Sequence, residues 1–161
     1  MTTADVPEVL ALEEQLFPHD AWPERFFHEE LVQSGTRRYW VCIEQGECGS
    51  RSAERIIAYV GMMCVPPIAD VQTIAVAPQA RGRGLGSRLL RLVVDTADQE
   101  GAEQVLLEVR ADNPRAQALY RREGFTHIHT RTRYYPDGVD ALIMQKPLRD
   151  LEGPSTASQL R

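Results

Sequence analysis

One stretch constrains this chain more than any other. Residues 72–90 read Gln72-Thr-Ile-Ala-Val-Ala-Pro-Gln-Ala-Arg-Gly-Arg-Gly-Leu-Gly-Ser-Arg-Leu-Leu90. An apolar strand runs into a short turn, then a loop with three glycines and two arginines, then at once a helix. That order aims several backbone N–H groups and the positive end of a helix at one point, which suits an anion, above all a phosphate. Glycine serves there because a side chain would block the phosphate oxygens and because a left-handed backbone costs glycine little.

Common phosphate templates narrow the ligand. The nucleoside-triphosphate loop needs Gly-Lys-Ser/Thr, and no lysine follows Gly86. The dinucleotide fingerprint needs Gly-x-Gly-x-x-Gly, whereas Gly82, Gly84 and Gly86 are spaced one residue too tightly. The stretch fits Arg/Gln-x-x-Gly-x-Gly, filled by Arg81, Gly84 and Gly86. A ligand-free glycine-rich connection is the competing reading; Arg81, Arg83, Arg88 and Arg91, gathered around one turn, argue for an anion.

The rest of the composition sets bounds. A chain of 161 residues fits one domain with a proper core. Its 43% hydrophobic and 25% charged residues are ordinary for a globular protein, and no apolar run reaches the ~20 residues of a membrane helix. No signal peptide is evident at the start, so the expected location is cytoplasmic. Cys42, Cys48 and Cys64 read as reduced thiols, two of them in core strands, and neither they nor the histidines have metal-ligand spacing. A net charge of −5 argues against a nucleic-acid binder. Acidic residues crowd positions 1–34: Asp5, Glu8, Glu13, Glu14, Asp20, Glu24, Glu29 and Glu30, against Arg25 alone. They read either as solvated helix faces or as a surface for a basic protein.

Periodicity places helices at 6–16, with Asp5 as cap, and at 23–32, with Phe26, Phe27 and Leu31 inward. Strands follow at 39–44 and 56–65 around a polar loop at 45–54. A nearly all-apolar strand at 70–77 belongs in the sheet centre. A helix at 85–100 buries Leu85, Leu89, Leu90, Leu92, Val93 and Ala97. Then come a strand at 104–110, a helix at 113–123 and paired strands at 125–132 and 140–146. The expected architecture is a mixed α/β sheet in one domain over 1–148, with a flexible tail over 149–161.

Two residues of the second half bear on chemistry. Alternation puts Leu106, Glu108 and Arg110 on one strand face. Glu108 interrupts an apolar strand, so it is either a desolvated general base or half of an ion pair with Arg110 or a neighbouring strand. Tyr120 shares a helix face with Ala116; it is either packing or a phenol placed to donate a proton. Asn113 opens that helix as a cap or as a ligand contact. Tyr134 and Tyr135, between the last two strands, either pack the loop or line a substrate pocket.

Taken together, the Arg81–Gly86 loop, Glu108-Val-Arg-Ala-Asp-Asn113, Ala116, Leu119-Tyr120 and Gly124-Phe125 resemble the GNAT superfamily of N-acetyltransferases. Phe17-Pro-His-Asp-Ala-Trp22, Thr130-Arg-Thr-Arg-Tyr134-Tyr135-Pro and Asp140-Ala-Leu-Ile-Met144 narrow the resemblance to the ribosomal-protein-alanine (RimI) branch. It runs in one order to about Leu148. The resemblance implies a mostly antiparallel α+β sheet, splayed between its central strands and flanked by about four helices. Acetyl-CoA is the implied co-substrate, without a metal. Its implied contacts are the backbone at Ile74, Ala75 and Val76, the loop Arg81, Gly82, Arg83, Gly84, Leu85, Gly86 and Ser87, and Asn113. Glu108 takes the base role and Tyr120 the acid role, with direct attack by the α-amino group of an N-terminal alanine on a basic ribosomal protein. Nothing in it calls for nucleic acid or membrane, and it leaves the oligomeric state open. Two departures stand out: only Met1 to Ala4 remain for the family's first strand, and the loop at 46–55 is long. A lysine side chain, a polyamine or an antibiotic amine are the alternative acceptors; a non-catalytic acetyl-CoA-binding module is the non-enzyme reading.

Overall fold

A computed structural model describes residues 1–45 and 54–149. Among them lie six strands: β1 (Arg37–Glu44), β2 (Arg55–Val65), β3 (Ile68–Val76), β4 (Gln104–Arg110), β5 (Thr126–Arg131) and β6 (Ala141–Pro147). Four α-helices accompany them: α1 (Val6–Leu16), α2 (Glu24–Val32), α3 (Leu85–Gln99) and α4 (Pro114–Arg122). The sheet order is β1-β2-β3-β4-β6-β5. Every neighbouring pair is antiparallel except β3 and β4, whose parallel ladder needs the long crossover that α3 supplies.

That parallel ladder stops early. Pairing runs from Ile68 opposite Gln104 to Val71 opposite Leu107. β3 continues to Val76 and β4 to Arg110, so their C-terminal halves separate and the sheet opens between them. In an α/β sheet such a gap at the strand ends is where ligands enter. β2 follows β3 all the way to Val76, with a bulge at Gly61/Met62 that bends the pair. The sheet is thus closed on one side of β3 and open on the other.

The core explains why the elements hold. Leu85, Leu89, Leu90, Val93 and Ala97 of α3 are buried, as the helical period requires. Val6, Val9 and Leu12 of α1 and Phe27 of α2 join Tyr59, Val60 and Met62 of β2. Tyr39 lies across Gly61, where any Cβ would collide with its ring.

The expected element order holds throughout, and most boundaries fall within two residues of expectation. Several details differ. The first strand is absent among the described residues: Thr3–Asp5 form a 3₁₀ turn, and the Met1 ammonium donates to the Tyr39 carbonyl at 3.1 Å. Asp5 closes that turn by accepting from Thr2 N at 2.6 Å rather than capping α1 through its side chain. Phe26 and Leu92 are exposed, because each sits at the border of its helix's apolar stripe. A bulge between His127 and His129 interrupts the β5–β6 register. Cys42 and Cys64 are free thiols in β1 and β2. Most of the polar 45–54 loop, with Cys48, lies outside the described residues, as does the tail from 150 on.

Candidate active site

The glycine loop builds one wall of a cavity of about 600 Å³. Gly82 and Gly84 take positive φ of 79° and 74°, a left-handed backbone that other residues adopt at a cost of roughly 1–2 kcal/mol. Gly84 is the N-cap of α3 and supplies no side-chain cap, so the first N–H groups of the helix have no intrahelical acceptor. Gly86 sits so close to Leu119 of α4 that an added Cβ would lie 2.9 Å from a Leu119 methyl. The same cavity is lined by Ile74, Ala75, Val76, Arg81, Gly82, Gly84, Leu85, Gly86, Ser87 and Asn113, which are all but one of the residues expected to hold the coenzyme.

Arg83 is the exception. It turns away to pair with Glu44 at 2.5 Å and with the Gln79 carbonyl. Arg91 is likewise spent on Glu123. Of the four arginines read around this turn, Arg81 lines the cavity, joined by Arg115 and Arg122 of α4, which the sequence reading did not single out. The positive rim is therefore built from two elements. Asn113 caps α4 by accepting from Ala116 N at 3.1 Å, and it also lines the cavity.

A second cavity, about 480 Å³, lies on the other side of the β3/β4 opening and shares Leu16, Phe17, Ile74, Asn113 and Tyr120 with the first. Tyr120 stands where the two meet. It is 6% exposed and packs edge-on against Phe125. Burial pushes its phenol above the ordinary range, with Tyr135 adding to the shift. The hydroxyl therefore keeps its proton at neutral pH, as a donor must.

Glu108 reaches the second cavity from β4, but it is not desolvated: its side chain is 35% exposed and bonds to Arg131 at 2.5 Å. Of the two readings of Glu108, the structure shows the cross-strand ion pair, with Arg131 of the edge strand β5 as its partner. Glu108 does not pair with Arg110. Arg110 instead binds Asp20 at 2.7 Å, Asp112 at 3.0 Å and Asp137 at 2.5 Å, and stacks over Tyr135 at 4.6 Å. One guanidinium thus ties three loops around the second cavity. Tyr135 lines that cavity, its phenol pushed up to about 12 mainly by burial. Tyr134 does not line it; it is exposed, packed edge-on against Tyr135 and covered by Arg131.

Sequence reading missed Glu13. Its place in the acidic stretch 1–34 reads as a solvated helix face or a surface for a basic protein, yet it is 2% exposed and lines the second cavity. Oε1 accepts from Trp22 N at 3.2 Å, and Oε2 faces the Thr73 hydroxyl at 3.5 Å. Burial raises its carboxyl to about 7; the bonds to Trp22 and Thr73 only partly counter that. Spacing could have found it: Val6, Val9 and Leu16 lie seven, four and three residues away, so Glu13 sits on the buried stripe of α1.

A helix-capped loop for a diphosphate, opening through a split sheet onto a cavity with carboxylates and a protonated phenol, suits acyl transfer from a nucleotide thioester. The chain belongs to the acetyltransferase (GNAT) family, whose model matches residues 6–125. Among its relatives, the N-alpha-acetyltransferase RimI of Mycobacterium tuberculosis is 39% identical over 156 residues, covering 93% of this chain and 91% of that protein. An uncharacterized protein of Mycobacterium leprae is 41% identical over 152 residues; the match covers 91% of this chain but spans only 39% of that longer relative. The crystal structure of the ribosomal-protein-S18-alanine N-acetyltransferase from Escherichia coli superposes with a TM-score of 0.79 at 30% identity, covering 96% of this chain and 94% of that one. Among the described residues no group of side chains is arranged to hold a metal ion, and no helix is long and apolar enough to cross a membrane.

Proposed function

We propose that this protein transfers the acetyl group of acetyl-CoA to the α-amino group of a protein N-terminus, with the N-terminal alanine of a basic small-subunit ribosomal protein as its acceptor. The observation that carries the reading is the meeting of the two cavities at Tyr120 through the β3/β4 opening. The diphosphate of acetyl-CoA lies against the N–H groups of Leu85, Gly86 and Ser87, with Arg81 at its rim. The pantetheine arm runs along Ile74, Ala75 and Val76, whose backbone lost its β4 partner where the ladder ended. The thioester then sits beside Tyr120.

The acceptor enters the second cavity. An α-amino group has an ordinary pKa of about 7.7–8.0, so near neutrality it arrives largely as an ammonium. Glu13, Asp20, Glu108 and Asp112 line this cavity against the single guanidinium of Arg110, a balance that favours a cation. Glu108 removes a proton from the ammonium, the free pair attacks the thioester carbonyl, and as the C–S bond opens the nitrogen gives up its second proton and Tyr120 protonates the departing thiolate. The relatives' printed activities, alanine or α-amino acetylation, support this acceptor over a lysine side chain. The cytoplasm, where ribosomal proteins are made, is the proposed location.

The test is a mixed acceptor panel with acetyl-CoA: basic peptides starting with alanine, peptides with only an internal lysine, and a polyamine. Acetylation of the alanine peptides at least tenfold above the others supports the proposal; faster acetylation of a lysine or a polyamine overturns it. In the same assay Glu108→Gln and Tyr120→Phe should each lower kcat by roughly 10²–10⁴-fold.

A further inference from the structure

We infer that Glu13 is a second proton acceptor in the acceptor cavity, serving the nitrogen alongside Glu108. The inference rests on the N-terminal acetyltransferase reading above. It begins with a proton count. An α-ammonium carries three protons, and the amide it becomes carries one. Two N–H bonds must therefore break while one C–N bond forms and the C–S bond opens. The sulfur ends with one proton, supplied by Tyr120, and that donor cannot also be an acceptor while protonated. Two acceptors near the nitrogen let both protons leave without waiting for one group to discharge.

Glu13 is placed for this. It is a buried carboxylate on the inner wall of the cavity, while Glu108 sits at its outer, solvated side. A carboxylate offers about four lone-pair directions, and the contacts from Trp22 N and Thr73 Oγ1 occupy two. Among the described residues no cation pairs with Glu13. The groups around it are His19 and Asp20 from the α1–α2 loop, Glu108 and Arg110 from β4, Asp112 from the following loop, Tyr120 from α4 and Tyr135 beyond β5. From β1, Tyr39 feels the Glu13 charge, but its hydroxyl is engaged with Glu30 and Gln72. Arg110, the one fixed cation in this set, is held by three aspartates. Burial brings the Glu13 carboxyl to about 7, close to the ammonium it must deprotonate, where general-base transfer is efficient.

A purely structural Glu13 would only hold the α1–α2 loop through Trp22 N. Glu13→Gln keeps that acceptor oxygen and removes the proton acceptor. The experiment measures kcat against pH with saturating acetyl-CoA and alanine peptide, for the wild type, Glu13→Gln, Glu108→Gln and Thr73→Val, with acetyl-CoA affinity as the folding control. Wild type should show an acid limb near pH 7. Glu13→Gln should lower kcat by at least a hundredfold and lose that limb, while Glu108→Gln should be slow but keep it. Thr73→Val removes a bond that favours the ionised carboxylate, so its limb should move to higher pH. Near wild-type kcat in Glu13→Gln overturns the inference alone. Should Glu13→Gln fail to bind acetyl-CoA, an unmoved limb in Thr73→Val overturns it. A wild type inactive on every α-amine overturns both this inference and the reading beneath it.

Discussion

At the scale of single residues, three carboxylates lining one cavity have different fates. Asp20 is neutralised by Arg110, Glu108 stays solvated beside Arg131, and Glu13 is buried with no cation partner among the described residues. Glu13 therefore makes stability depend on pH. Its folded carboxyl near 7 lies above the ordinary 4.5, so the folded state holds more protons between those values. Stability from this group is full below about pH 4.5, falls as pH rises, and is lost by about pH 7. Glu13→Gln removes that cost, so the variant should melt higher than wild type at pH 8, by up to about 3 kcal/mol of unfolding free energy, and no higher at pH 4.5. Thermal unfolding at both values checks this. A group that stabilises the fold less as it ionises, yet sits in the acceptor cavity, has the profile expected of a residue kept for function.

Elements set where these residues meet. The strand–loop–helix unit was legible because its constraints are local: Gly82 and Gly84 need left-handed backbone and α3 follows at once. Gly84→Ala should raise the KM for acetyl-CoA several-fold while kcat at saturation changes little, measured by steady-state kinetics. The apolar periods of α1 and α3 were equally plain, since burial repeats every 3.6 residues, and the nearly all-apolar run of β3 marked a central strand. The environment of Glu108 was not, because it depends on β5, two strands away in the sheet and 18 or more residues later in the chain. The turn of Arg83 toward Glu44 was hidden for the same reason, since Glu44 comes from β1, 39 residues earlier in the chain. Glu13 failed differently. Its periodic position was visible, but a charged residue in an acidic stretch reads as solvent-facing until the strand it packs on is known.

Across the whole molecule, the second cavity and its rim are assembled from distant parts of the chain. Asp20, Arg110, Asp112, Asp137 and Tyr135 come from three separate loops and the end of β4, and Arg110 joins them. Arg110→Met should cost about 2 kcal/mol of stability, an amount typical of hydrogen bonds to charged groups, and should raise the KM for the peptide without changing that for acetyl-CoA. Denaturant unfolding and bisubstrate kinetics check the two halves of that expectation. The first cavity depends instead on α3, α4 and the free edge of β3, so the proposed function assigns the two substrates to different parts of one split sheet. The most direct test of that division is a crystal structure with a conjugate of coenzyme A and an alanine-first peptide. The diphosphate should lie on the N–H groups of Leu85–Ser87, the bridging sulfur beside Tyr120, and the peptide nitrogen between Glu13 and Glu108. A diphosphate bound away from Gly84, or a peptide lying outside the cavity of Glu108, would contradict it.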